Sequence, residues 1–129
     1  MPLVTDELLD AIAQVESGGN PKAIGDTNLP NAAYGAFQVR MPAYKDVQRV
    51  FPQEFANTPF ERVQADPALN RLVARRYLEA GEQAYGITDL ERLVAYYNAG
   101  PRVRRGEIPN MIYVRKVLRA LQERNAYPR

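Results

Sequence analysis

Apolar residues recur at intervals of three and four through nearly every segment between the glycines and prolines of this chain. No run alternates long enough to make a strand. The spacing of Leu8, Leu9, Ile12 and Ala13 predicts a helix over residues 5–16 with one buried face. Thr5 is placed to cap it, Asp6 and Glu7 suit its first turn, and Gly18-Gly19 followed by Asn20-Pro21 stops it. Pro42 leads a second helical pattern, with Ala43, Tyr44, Val47, Val50 and Phe51 on one side. Asp66-Pro67 starts a third, in which Leu69, Leu72, Val73, Arg76, Tyr77 and Ala80 keep helical spacing toward a stop at Gly86. Thr88 is placed to cap a fourth, with Leu90, Leu93, Val94 and Tyr97 inward, ending at Asn98-Ala99-Gly100-Pro101. Asn110 is placed to cap the last, with Ile112, Tyr113, Val117, Leu118 and Leu121 on its apolar face. Between these, residues 18–34 read as a long loop and residues 52–65 as a loop with one helical turn. The segment from Tyr34 to Val39 fits a short strand or a short helix equally. The expectation is an all-α fold, a single domain over residues 1–129 with five or six helices around one core.

What the chain lacks limits its chemistry. It has 129 residues with no histidine and no cysteine, which excludes Ser-His-Asp and Cys-His nucleophilic sites and Cys/His zinc sites. Acid–base work near neutral pH is left to a carboxyl group, a lysine or a tyrosine with a shifted pKa. A net charge of +2 suits an acidic partner such as a bacterial wall and falls far short of a nucleic-acid-binding surface. The cations Arg102, Arg104 and Arg105 form a short basic turn, a solvated feature or a docking point for such a wall. No stretch is apolar enough to span a bilayer, and Met1-Pro2-Leu3-Val4 running into Thr5-Asp6-Glu7 shows no secretory leader.

One carboxyl group stands out by position. Glu16 follows Ile12 by four residues and Ala13 by three, so it emerges on or beside the buried face, just before the glycine stop. Partial desolvation there would raise its pKa and suit it to act as a general acid. A negative charge is also unfavourable at a helix C-terminus. Position alone favours the plainer reading, a solvated helix-end glutamate. Two further loop-edge clusters, Tyr34 to Gln38 and Tyr96-Tyr97-Asn98, supply the aromatic faces and amide groups that a sugar-binding cleft uses.

Together the three clusters carry a resemblance. Glu16-Ser17-Gly18-Gly19-Asn20-Pro21, then Tyr34-Gly35-Ala36-Phe37-Gln38-Val39, then Ala95-Tyr96-Tyr97-Asn98-Ala99-Gly100-Pro101 resemble the soluble lytic transglycosylase family, over about residues 7–120. The family's motifs run Glu-Ser-x-x-Asn-Pro, Gly-Leu-Met-Gln and Ala-Tyr-Asn-Ala-Gly, in the same order. Ala36-Phe37 replaces the family's Leu-Met, and the loop from Asp26 to Tyr34 is longer than in many relatives. The resemblance implies a lysozyme-like fold with a substrate cleft, cleaving the β-1,4 bond between N-acetylmuramic acid and N-acetylglucosamine in peptidoglycan. It implies Glu16 as the single acid and base, closing a 1,6-anhydro ring. Ser17, Tyr34, Gln38, Tyr97 and Asn98 are then the substrate-binding residues. Neither cofactor nor metal is implied, and the partner is the glycan strand, met by a monomer. Gly25-Asp26 ahead of the second motif also looks like the related goose-type lysozymes, in which Asp26 would be a second carboxylate activating water. A third reading is a glycan-binding or virion structural module without turnover. The expected settings are a phage lysis enzyme, a virion component, or the excised domain of a larger protein.

Overall fold

The computed structural model describes residues 2–126. Its first helix, α1 (Asp6–Ser17), begins where Thr5 accepts a hydrogen bond from the Leu8 amide at 3.1 Å. It buries Leu8, Leu9, Ala11, Ile12 and Ala13. It stops at Gly18, whose left-handed backbone (φ 66°) turns the chain while Gly18 and Gly19 donate back to Gln14 and Ala13.

The long loop that follows is more ordered than its composition suggests. Ile24–Gly25 (β1) pairs antiparallel with Ala33–Tyr34 (β2), Ile24 opposite Tyr34 and Gly25 opposite Ala33. The chain then turns through residues 35–38 and returns so that Val39 bridges Tyr34. Two-residue strands carry no alternation, which is why local pattern does not show them.

Next come α2 (Met41–Val50), α3 (Pro52–Phe55), α4 (Phe60–Ala65) and α5 (Pro67–Gln83). Where the prolines of 52–65 suggest a loop with one helical turn, the chain forms two short helices. Pro52 occupies the first turn of α3, where its missing amide hydrogen costs nothing. Phe55, Phe60 and Val63 are drawn into the core from this stretch, with the Tyr44 and Phe60 rings stacked at 5.6 Å. Asp66 caps α5 by accepting from the amides of Ala68 and Leu69. The fourth long helix, α6 (Leu90–Ala99), is capped by Asp89 rather than Thr88: the Asp89 carboxylate accepts from the Arg92 amide at 2.9 Å. A carboxylate also complements the positive end of the helix dipole. A 3-10 turn over Pro101–Arg104 leads to α7 (Met111–Ala126).

Asn110 directly precedes α7, but its side chain does not cap the helix. It donates instead to Ala95 O at 3.1 Å and Asn98 Oδ1 at 2.9 Å, tying the start of α7 to the end of α6. Ile112 is also not on the apolar face; it is 73 % exposed, while Val114 and Val117 are buried. It shares the solvent side of α7 with Arg115, Lys116 and Arg119, at helical spacing of three, four and seven residues.

α1 lies chiefly against α7, α2 against α5, and α6 against both α5 and α7, so every helix contributes to one core. The fold is therefore mostly helical, as the periodicity predicts. No helix among the described residues is long and apolar enough to cross a membrane.

One buried polar residue fastens the turn region to this core. Asn70 on α5 is 1 % exposed. Its Oδ1 accepts from the Phe37 amide at 3.1 Å, and its Nδ2 donates to the carbonyls of Tyr34 (3.0 Å) and Val63 (3.2 Å). Gly35 (φ 81°) passes so close that a Cβ there would stand 2.6 Å from the Asn70 amide. Removing the amide leaves the Phe37 amide and the Val63 carbonyl buried without that partner, at about 1–3 kcal/mol for each unsatisfied group, while the Tyr34 carbonyl keeps its bond from the Val39 amide. Asn70→Ala should therefore lose about 3 kcal/mol of stability in urea denaturation; a loss under about 1 kcal/mol would show that the amide does not hold this region.

Candidate active site

The three sequence clusters converge on one cleft of about 260 Å³. Its lining includes Glu16 from the end of α1, Asp26 after β1, Gln38 from the turn, Arg40 before α2, and Tyr97 and Asn98 from the end of α6. Val73, Ala74 and Tyr77 of α5 make its apolar floor. Residues far apart in sequence meet here because α1 and α6 both end at this point, and the turn fastened by Asn70 fills the space between them.

Glu16 is partly buried, and one of its oxygens is held: the Tyr113 hydroxyl, from α7, donates to Oε2 at 2.7 Å. Burial raises the Glu16 pKa above the ordinary 4.5, the Tyr113 hydrogen bond works against that rise, and burial dominates. The two phenols beside it stay protonated. Burial pushes Tyr97 and Tyr113 well above the usual tyrosine value, and the neighbouring Glu16 charge adds to the push. Glu16 is thus a carboxyl group biased toward its neutral form, with a fixed hydrogen-bond donor behind it.

Gln38 lines the cleft, and its backbone is left-handed (φ 50°), an uncommon conformation for a residue with a side chain. Its Nε2 donates to Gly35 O at 3.1 Å and Ala23 O at 3.3 Å, clamping the turn to the hairpin. Its Oε1 lies against Gly25, where an added Cβ would fall 2.2 Å away, so a larger residue there would displace the Gln38 amide. Tyr97 lines the cleft while its hydroxyl donates to Phe37 O at 2.6 Å. Asn98 sits exposed at the mouth with Oδ1 held by Asn110, which leaves its amide nitrogen available as a donor.

Ser17 and Tyr34 stand behind the cleft, outside its lining. The Ser17 hydroxyl donates to Ala36 O at 2.7 Å and accepts from the Asn20 amide at 3.0 Å, joining the helix end to the turn. The Tyr34 ring packs edge-on against Phe60, with centroids 5.7 Å apart. Both hold the wall in place and leave the surface to Gln38, Tyr97 and Asn98. Asp26 does line the cleft, ion-paired with Arg40. Arg102, Arg104 and Arg105 are exposed on the turn after α6, with no ion pair among the described residues.

Four contributors carry no motif. Asn70 had one legible cue, a polar residue at an inward position of α5. Tyr113 reads as one more apolar-face residue, and nothing local marks Arg40 or Asn110. Among the described residues no group of three or more acidic side chains could hold a metal ion.

The chain is similar to known proteins in its family model and in its fold. The family model of the transglycosylase SLT domain matches residues 1–110. No curated protein sequence matches the chain. Among solved structures, an inhibitor-bound lysozyme from Meretrix lusoria shares the fold with a TM-score of 0.70, at 18 % identity and covering 92 % of each chain.

The raised Glu16 pKa links the site to stability. The fold favours the neutral carboxyl, so this contribution is fully present below the unfolded value near 4.5 and is lost as pH rises through the higher folded value. Gln mimics the neutral form and can still accept from Tyr113. Glu16→Gln should therefore melt higher than the native chain at pH 7, with the difference vanishing at about pH 4. Calorimetry at the two pH values checks this; a variant that melts lower at pH 7 would show that the charged carboxylate is the form the fold favours.

Proposed function

Since the chain belongs to the transglycosylase SLT domain family, we propose that it is a lytic transglycosylase in which Glu16 alone performs both proton transfers. Family membership and the lysozyme-like fold support a peptidoglycan-cleaving enzyme acting at the cell wall. The observation that carries the finer reading is the contrast between the two carboxyl groups in the cleft. Glu16 is desolvated, biased toward its protonated form and held by Tyr113. Asp26 is engaged by Arg40.

In this mechanism the protonated Glu16 donates to the oxygen of the β-1,4 bond between N-acetylmuramic acid and N-acetylglucosamine. The bond breaks with positive charge developing on the muramic acid ring. Glu16, now a carboxylate, takes the proton of the C6 hydroxyl, and that oxygen closes on C1 to give the 1,6-anhydro product. The bond between sugars is exchanged for one within the ring, no water enters, and Glu16 ends as it began. A hydrolase of the inverting kind needs a second carboxylate free to activate water, and an ion-paired Asp26 is poorly suited to that. Tyr113 keeps one Glu16 oxygen fixed, which directs the other toward substrate. Gln38 and Tyr97 shape the sugar subsite, and Asn98 offers its amide nitrogen to it. One chain supplies all these groups, so a monomer suffices.

Positioned acid–base catalysis contributes about 10²–10⁴-fold, and here one group does both steps. Glu16→Gln should reduce wall cleavage by at least about 10³-fold while its binding to peptidoglycan persists. Mass analysis of muropeptides released by the native chain should show products one water lighter than hydrolysis gives. Retention of about a tenth of the activity in the variant, or free reducing ends in the native digest, would contradict the reading.

Docking to the wall is assigned to Arg102, Arg104 and Arg105, which continue from the cleft-lining Gly100. Exposed charges are screened beyond about 8–10 Å at physiological ionic strength. Replacing the three with glutamine should weaken co-sedimentation with purified walls at low salt and have little effect at high salt. An equal loss at both salts would remove the electrostatic role.

A further inference from the structure

Asp26 and Arg40 are fourteen residues apart and meet at the cleft. Asp26 follows β1 with a left-handed backbone, φ 53°, a conformation in which few residues other than glycine are comfortable. Arg40 is the last residue before α2. One guanidinium nitrogen holds the Asp26 carboxylate, and another donates to the carbonyl of Asn31. A single arginine thus grips both sides of the excursion from residue 26 to 31 and fastens it to the start of α2. Both partners of the pair line the cleft together with Glu16.

The groups that face Glu16 are few. From α7 comes Tyr113 and from α6 Tyr97, both neutral phenols, with Tyr77 of α5 packed behind Tyr97 at 5.8 Å. The residues within one turn of it on α1 carry no charge. The charges that act on Glu16 are those of Arg40 and Asp26, in opposite directions. Paired, they oppose each other; separated, either would impose its own sign on the acid.

We propose that Asp26 and Arg40 are a positioning pair for Glu16, which latches the 26–31 excursion as one wall of the cleft and presents no net charge to the acid from that side. This rests on Glu16 being the acid. It gives Asp26 a role that involves no water activation and gives Arg40 one that no motif suggests. A latch that was only mechanical would make the two residues interchangeable in effect. A charge-balanced latch makes them opposite.

The test is the pH dependence of kcat/KM on soluble glycan strands at low ionic strength, for the native chain, Asp26→Asn, Arg40→Gln and the double variant. Thermal melts of each confirm folding. The activity should fall with rising pH as Glu16 ionises. Asp26→Asn leaves Arg40 unopposed and should move that descending limb about half a pH unit lower, and Arg40→Gln should move it a similar amount higher. The double variant should return near the native position with a raised KM, because the latch is gone while the balance is restored. Arg40→Lys keeps the charge without the two-sided grip, so its limb should stay and its KM rise. The shifts should shrink in about 0.5 M salt. Limbs that do not move, or that move the same way in both single variants, overturn the proposal and leave the assignment of Glu16 standing. If instead Asp26→Asn loses about 10²-fold or more at every pH and native products carry free reducing ends, the single-acid reading itself fails.

Discussion

The contact on which the site depends is the hydrogen bond from the Tyr113 hydroxyl to Glu16, made across the packed faces of α1 and α7. It joins the two ends of the chain at the reacting group. For Glu16 to be there, α1 must stop at Gly18. For Tyr113 to reach it, the chain must come back after α6 and set α7 along α1, which the Asn110 links to Ala95 and Asn98 secure. Burial of the carboxyl follows from that packing, and with burial comes its preference for the proton. The acid is therefore a product of the whole fold, although its motif is local.

The remaining wall of the cleft is built on hydrogen bonds to backbone. Asn70 holds the turn from below, Ser17 from the end of α1, and Tyr97 from α6, each through a carbonyl or amide of residues 34–37. A segment with so little regular structure would otherwise leave most of those groups unsatisfied, the Tyr34 carbonyl alone keeping a backbone partner in the Val39 amide. The same three side chains thus rigidify the turn on which Gln38 sits in a left-handed conformation. Holding a residue in that conformation costs stability of order 1–3 kcal/mol. The partly buried Glu16 adds a further cost near neutral pH, so the fold accepts instability where its chemistry lies.

The helical layout was legible because amphipathic helices announce themselves at a period of 3.6, and Thr5, Asp66 and Gly18 mark their ends by clear local chemistry. The two-residue strands and the two short helices of residues 52–65 were not, since segments that short complete no period. At the site, Glu16 could be placed at the rim of a buried face from spacing alone, and the three clusters carried the resemblance that the family match bears out. What spacing could not show is which side of an element a polar group serves. Ser17 and Tyr34 share segments with cleft residues yet turn toward the scaffold. Ile112 sits beside Tyr113 in sequence, but a rotation of about 100° per residue puts one in solvent and the other against Glu16. Tyr113, Arg40 and Asn70 act through contacts dozens of residues away or across loops, which no local pattern encodes.

The central claim is that the fold holds Glu16 as an acid, and the carboxyl's own titration tests it most directly. With glutamate side chains labelled with carbon-13, the Glu16 carboxyl resonance is identified by its disappearance in Glu16→Gln and followed with pH. The expected midpoint lies above the ordinary 4.5. A midpoint at or below 4.5 would contradict it, because the carboxyl would then be an ordinary solvated or ion-paired group with no proton to give near neutral pH.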